Sequence, residues 1–200
     1  MPHDTPPTPP SSVLSALRAG THTLHVALEK RLPFFSDRLD LERYTQLLAA
    51  YYGFYQALES NLLTCELPEG FELSTRLKTP ALQQDLRALN VHIEALPLCD
   101  NLPPLNNPAS VLGVLYVLEG ATLGGNVLRK HVSEQLGLDA DNGCAFLYVY
   151  GESTGKQWKA FLDYLGSVPL DAAAQALAVH AACSTFSCFE QWLEHQEVLL

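Results

Sequence analysis

Apolar residues recur along this chain at spacings of three and four, the period of helices with one buried face. In SSVLSALRAGTHTLHVALEKRL, which opens at Ser11, the residues Leu14, Leu17, Leu24, Leu28 and Leu32 keep that period. Ser11 or Ser12 supplies an N-cap and Pro33 a terminator, so a first amphipathic helix is predicted. A second is predicted from about Asp40 to Thr64, where Leu47, Leu48, Tyr51, Tyr55, Leu58 and Leu62 form a broad apolar face. Asp40, with Glu42 and Arg43 in the first turn, marks its start. PALQQDLRALN, residues 80–90, begins with proline at a favoured first helical position and ends on a capping Asn. Beyond the Pro-rich link LPLCDNLPPLNNP, residues 109–136 read as one long helix stopped by Gly137. STGKQWKAFLDYL sets Thr154 three residues before Gln157, the spacing of a capping box, and predicts another helix. A last long helix, rich in Ala and Leu, is predicted from Leu170 to the C-terminus, and FLYVY at 146–150 is the only β-rich run. The pattern predicts an all-α single domain over residues 12–200, without internal repeats. It follows a tail, residues 1–11, whose prolines give it polyproline II character.

Composition narrows the function classes. With 200 residues, 48% hydrophobic and 17% charged, the chain is long and apolar enough to bury one sizeable core. A net charge of −10 excludes a phosphate-tracking surface, which needs clustered Lys and Arg, so no nucleic-acid partner is expected. No run of 18 or more apolar residues stands out, and MPHDTPPTPPSS has neither a basic n-region nor an apolar h-region. The expectation is a cytoplasmic protein with no membrane partner. Five scattered cysteines without a C-x-x-C pair suggest reduced packing residues, not a disulfide framework or a zinc site.

Two segments carry candidate chemistry. In LRAGTHTLHVALE, Arg18 and His25 are seven apart and almost superposed in angle, about 10 Å apart along the axis at a rise of ~1.5 Å per residue. His22 and Glu29 flank His25 on the same face, and Glu29 can reach a ring nitrogen of His25, as carboxylates do that orient a metal-bound imidazole. A histidine at the margin of an apolar face is more often a hydrogen-bonded packing residue, and on this helix alone that reading is favoured. No E-x-x-H pair of a di-iron bundle is present. A metal at His25 would therefore have to bring most of its own ligands, as haem iron does: it needs one protein histidine, and its propionates want nearby cations.

The second segment is LYVLEGATLGGNVLRKH, residues 115–131. Each interior glycine costs a helix roughly 1 kcal/mol relative to alanine. Gly120 and Gly124 leave one strip of the helix without side chains, and the pair Gly124 and Gly125 favours a bend. Such a strip suits a flat ligand. It equally suits tight helix–helix packing, the commoner use of small-xxx-small patterns. No strand precedes the glycines, which weakens a phosphate-loop reading.

Taken together, LRAGTHTLHVALE and, about a hundred residues later, LYVLEGATLGGNVL resemble the heme oxygenase family. YVLEGATLGG and YGESTGKQW look most like its bacterial members associated with bacteriophytochromes. The likeness runs from about Ser12 to the last helix. It implies an all-α fold holding haem between a proximal and a distal helix, with His25 as iron ligand and Glu29 as its hydrogen-bond partner. Gly120, Gly124 and Gly125 become the distal glycines whose backbone approaches the haem face. Arg18 matches a basic position near the propionates, and His22 stands where relatives often carry another basic residue. Lys159 and Lys156 would add propionate contacts, although Lys159 is also spaced to pair with Asp163. Ala121 departs from the family: animal relatives carry there an aspartate that orders distal water, a task left here to Thr122, Asn126 or backbone carbonyls. Animal members also have a basic residue at the position of Asp163.

The implied activity is oxygen-dependent degradation of haem, both cofactor and substrate, to biliverdin, carbon monoxide and ferrous iron. No flavin or nicotinamide fingerprint is visible, so an external electron donor, a ferredoxin- or flavoprotein-type reductase, is an expected partner. A bacteriophytochrome is the expected biliverdin acceptor. Three competing classes make different predictions. A noncatalytic haem carrier keeps its Soret band with reductant and oxygen, and a helical interaction protein with a small-residue seam shows no Soret band on haem titration. A thiaminase-like hydrolase needs a nucleophilic cysteine beside an acidic group, a context none of the five cysteines shows.

Overall fold

The computed structural model describes residues 13–37 and 39–200. The Pro-rich tail and the serines expected to cap the first helix lie outside the described residues. Within them are seven α-helices: α1 (Val13–Arg31), α2 (Leu41–Leu62), α3 (Thr79–Ala88), α4 (Pro108–Gly120), α5 (Thr122–Leu136), α6 (Thr154–Ser167) and α7 (Ala172–His195). Short 3-10 turns stand between several of them, and no strand is found among the described residues.

Most helix ends follow from side chains visible in the sequence. Asp40 accepts the Arg43 amide at 2.8 Å to cap α2. Asn107 and Asp171 do the same for α4 and α7, through Ser110 and Ala174. Helix α3 closes on Asn90 in the left-handed region (φ 60°), with Val91 N–H donating to Leu86 O and Asn90 N–H to Arg87 O, the paired bonds of a Schellman end. Gly137 (φ 70°) ends α5 where expected.

Two expectations are corrected, the unbroken helix over 109–136 and the capping box at Thr154, and the one β-rich run joins the all-α fold. The helix over 109–136 is two helices meeting at Ala121. The Thr122 hydroxyl donates to the Glu119 carbonyl three residues back at 2.7 Å, a back-bond that bends helices, in a stretch that glycines already weaken. FLYVY forms no strand: residues Phe146–Tyr148 make a 3-10 turn, because the Asp85 carboxylate accepts the Ala145 and Phe146 amides at 2.6 and 2.8 Å and no strand lies alongside. No capping box forms at Thr154 either, since it lies inside α6 and its hydroxyl donates to Gly151 O at 2.8 Å.

The core centres on α2, α4 and α7. Helix α4 is buried nearly all round, with Val111, Leu112, Val114, Leu115 and Leu118 all within it. It lies so close to α7 that a Cβ on Gly113 would stand 2.0 Å from the Ala178 carbonyl oxygen, with Ala178, Ala181 and Ala182 lining the buried seam. Residues Pro108–Leu136 and Ala172–His195 have the length and hydropathy of membrane spans, and α4 and α7 pack against each other. Helix α1 packs along α7, and Arg31 binds both Glu190 (2.8 Å) and Glu194 (2.7 Å).

Candidate functional site

Helix α1 turns Leu17, Thr21 and Leu28 into the core, and that choice of face leaves Arg18, His22, His25 and Glu29 exposed. His25 is therefore not a core histidine. Its Nε2 lies 3.3 Å from Glu29 Oε1, with the imidazole 52% exposed. The ring stands edge-on to Phe186 of α7, centroids 5.8 Å apart, which limits its swing. In this arrangement the ring nitrogen nearer Glu29 is Nε2, which leaves Nδ1 as the other ring nitrogen.

The three glycines of the second segment have three different surroundings. A Cβ on Gly124 would meet nothing within 4 Å, and its neighbours Leu123 and Val127 are 45% and 63% exposed. Gly120 lies beside Trp158 of α6, where a Cβ would make ordinary contact at 3.6 Å. Gly125 is buried, and a Cβ there would come within 2.3 Å of the Leu147 carbonyl oxygen. Its missing side chain lets α5 pack against the turn Phe146–Tyr148. The strip open to a ligand is thus Leu123, Gly124 and Val127, with Gly120 at its edge. Asn126, two residues and about 200° around the helix from Gly124, projects away from it. The Thr122 hydroxyl proton is taken up by the Glu119 carbonyl.

Helices α1 and α5 both pack on α6, and the turn Pro33–Phe35 leaving α1 packs on α5, yet α1 and α5 do not form a packed pair. Where this turn meets α5, Phe35 lies against His131, ring centroids 4.9 Å apart. Tyr116 joins α1 to the base of the strip. Burial pushes its phenol pKa up, while the Thr21 and Arg18 side chains, close enough to hydrogen-bond it, pull it down. Its ring lies 5.7 Å from Trp158, which in turn abuts Gly120. Neither aromatic was among the residues the sequence singled out, although Tyr116 stands four before Gly120 on the same helical row.

Lys156 and Lys159 are exposed at the start of α6, and Lys159 pairs with Asp163 at 2.6 Å. Two clefts, of about 450 and 360 Å³, open beside Pro103 and beside Trp192; neither is lined by His25 or Gly124. Among the described residues no three His, Cys, Asp or Glu side chains gather to hold an ion.

At the end of α4 lies a buried ionic cluster that the sequence reading missed, in which Arg76, Lys78 and Tyr150 surround the carboxylate of Glu119. Its signal was available, since Glu119 is the only charged residue between Asp100 and Arg129. A carboxylate in so apolar a helix must find partners.

Comparison with known proteins decides the family. Residues 11–195 match heme oxygenase as a family. The chain belongs to the heme oxygenase family. A heme oxygenase from Xanthomonas campestris pv. campestris (strain 8004) is 30% identical over 163 residues, 78% of this chain and 91% of that protein. The crystal structures of NO- and CO-bound heme oxygenase from Neisseria meningitidis superpose with a TM-score of 0.74 at 26% identity, over 92% of each chain. Heme oxygenase-1 from Synechocystis sp. PCC6803, solved in complex with heme, shares the fold: its TM-score is 0.75 at 18% identity, over 93% of this chain and 92% of that one. The all-α architecture is that of heme oxygenases.

Proposed function

We propose that this chain degrades haem with molecular oxygen to biliverdin, carbon monoxide and ferrous iron, with the macrocycle held between α1 and α5. The observation that carries this reading is the Leu123, Gly124 and Val127 strip, an apolar surface that no part of the described chain covers, in a fold whose helix α1 offers an exposed His25. A contiguous apolar face around a bare backbone fits a flat apolar ligand, and one imidazole suffices for iron that brings four nitrogens of its own. When bound, haem supplies the oxygen-activating iron and is itself the substrate.

The chain's residues bind, orient and exclude. His25 provides the single nitrogen ligand, and Glu29 fixes the ring by accepting from its other nitrogen. Leu123 and Val127 would shield the bound group from water, and Gly124 would let backbone approach it where a side chain would intrude. The exposed Arg18, His22, Lys156 and Lys159 would serve as the cations for the propionates, Lys159 on release from Asp163. Waters held by backbone carbonyls near the Ala121 bend take the place of an acidic side chain in proton supply. Electrons come from a ferredoxin- or flavoprotein-type reductase, and biliverdin passes to a bacteriophytochrome, in the cytoplasm, a setting consistent with five free cysteines.

Haem titration followed by aerobic turnover with a reductant tests the reading. Wild type should develop a histidine-ligated Soret band that decays as biliverdin forms, identified by chromatography, and His25→Ala should lose the histidine-ligated spectrum while staying folded. A Soret band that persists through turnover would make the protein a carrier, and its absence on titration would remove haem from the account.

A further inference from the structure

Glu119 is the last residue but one of α4, and its carboxylate is fully buried. Arg76 Nη1 donates to Oε2 at 2.6 Å, Lys78 Nζ donates to Oε1, and the Tyr150 hydroxyl lies 2.9 and 3.1 Å from the two oxygens. Lys78 Nζ donates in addition to the Arg76 carbonyl (2.6 Å) and to Tyr150 (3.0 Å). One layer further in, Glu59 of α2 accepts the backbone amides of Lys78 (2.7 Å) and Thr79 (3.0 Å), a carboxylate at the N-terminus of α3. Two cations thus face two carboxylates in a closed set that spans α2, the start of α3, the end of α4 and the segment before α6.

Stability alone does not account for it. A buried ion pair is seldom better than an apolar pair of the same shape, because desolvation offsets the attraction. What a carboxylate held by three donors from two separate segments does secure is position, since any shift lengthens several charge-assisted bonds together. The position secured is the junction of α4 and α5: the Glu119 carbonyl accepts the Thr122 hydroxyl, Ala121 follows at the break, and the open face of α5 begins two residues later.

We infer that Glu119, clamped by Arg76, Lys78 and Tyr150, is a positioning residue that sets where α5 presents Leu123, Gly124 and Val127. The inference rests on the proposed function for its purpose but not for its geometry. Gly124 and Gly125 leave α5 pliant, and without a fixed anchor just before the bend the open face would sample a range of heights above α1.

The test uses the full chain with Glu119→Gln, and with Tyr150→Phe as a milder change that removes only one hydroxyl. Amide hydrogen exchange of the haem-free protein is read at residues 121–126 and at 178–185 of α7. Glu119→Gln should speed exchange at 121–126 by about tenfold or more and leave α7 within about twofold, with Tyr150→Phe showing the same pattern more weakly. With haem and reductant, haem affinity should stay within about threefold, because His25 is untouched, while kcat falls about tenfold and KM changes little. Unchanged exchange at 121–126, or equal acceleration in α7, overturns the inference. If Glu119→Gln does not fold, the Tyr150→Phe pattern decides. If wild type binds no haem, the proposed function fails, and the exchange contrast still judges the clamp.

Discussion

Helices α4 and α5 follow one another across Ala121 and both are punctuated by glycine, yet α4 is apolar and buried while α5 is largely polar and exposed. In α4, Gly113 lies backbone to backbone with α7, and the flanking Leu112 and Val114 are buried. In α5, Gly124 faces open space between exposed Leu123 and Val127. The same device, a missing side chain, lets protein approach protein in one helix and leaves room for a ligand in the other. What separates the two uses is whether the chain itself fills the vacated volume. Substitutions that restore a side chain should expose this difference.

The largest effect is expected at Gly113. An alanine there would need its Cβ 2.0 Å from the Ala178 carbonyl oxygen, so α4 and α7 must part along the centre of the core. Gly113→Ala should destabilise by about 3 kcal/mol or more and lower Tm by roughly 6–12 °C in calorimetry. A variant with wild-type Tm would show that the seam is loose.

Next is Asp85, which holds the turn that backs Gly125. It is fully buried and accepts two amides, yet burial outweighs those bonds and raises its pKa to about 6 from 3.8. In the folded state it keeps its proton to higher pH than in the unfolded chain, so its contribution to stability is greatest below about pH 4 and declines as pH rises through about 6. Between pH 4 and pH 7, wild type should lose roughly 2–3 kcal/mol relative to Asp85→Asn, read from urea midpoints at each pH. A constant difference across that range would mean that Asp85 titrates alike in both states.

Gly125→Ala should follow at about 1–2 kcal/mol, because the opposing Leu147 carbonyl, 2.3 Å from the new Cβ, belongs to a short turn that can yield where a helix cannot. Thermal unfolding measures it, and an increase in Tm would place Gly125 with Gly124 on the open side.

Much of this was legible in the sequence, and what was not has a common cause. Helix period, the Asp40 cap and the Asn90 and Gly137 terminators are local, and the fold keeps them. The break at Ala121 coincides with the Thr122 hydroxyl bonding a carbonyl three residues back, an option open to any Thr in a helix and marked by no spacing. The strand-like FLYVY becomes a turn because Asp85, some sixty residues earlier, accepts its amides. The roles of Gly124 and Gly125 diverge for the same reason: the motif fixes their spacing, but Leu147 fixes which of them is covered. On α1 the exposed row of Arg18, His22, His25 and Glu29 was readable from angle alone, whereas Tyr116 and Trp158, which link it to α5, are brought together only by packing.

The smallest change in stability, and the sharpest test of the comparison, belongs to Gly124. Its backbone is ordinary helix and a Cβ meets nothing, so Gly124→Ala should stabilise the haem-free protein by about 0.5–1 kcal/mol, through the entropy removed from the unfolded chain. At Gly113 and Gly125 the sign is reversed. If the open strip is where substrate lies, the same methyl group that strengthens the helix occupies volume needed above the haem, and Gly124→Leu should abolish bilin formation while remaining at least as stable as Gly124→Ala within about 0.5 kcal/mol. Stability rising while turnover falls, at one position, is a combination that a packing glycine cannot produce. If Gly124→Leu turned over like wild type, Gly124 would be a spacer and the ligand surface would have to be sought elsewhere.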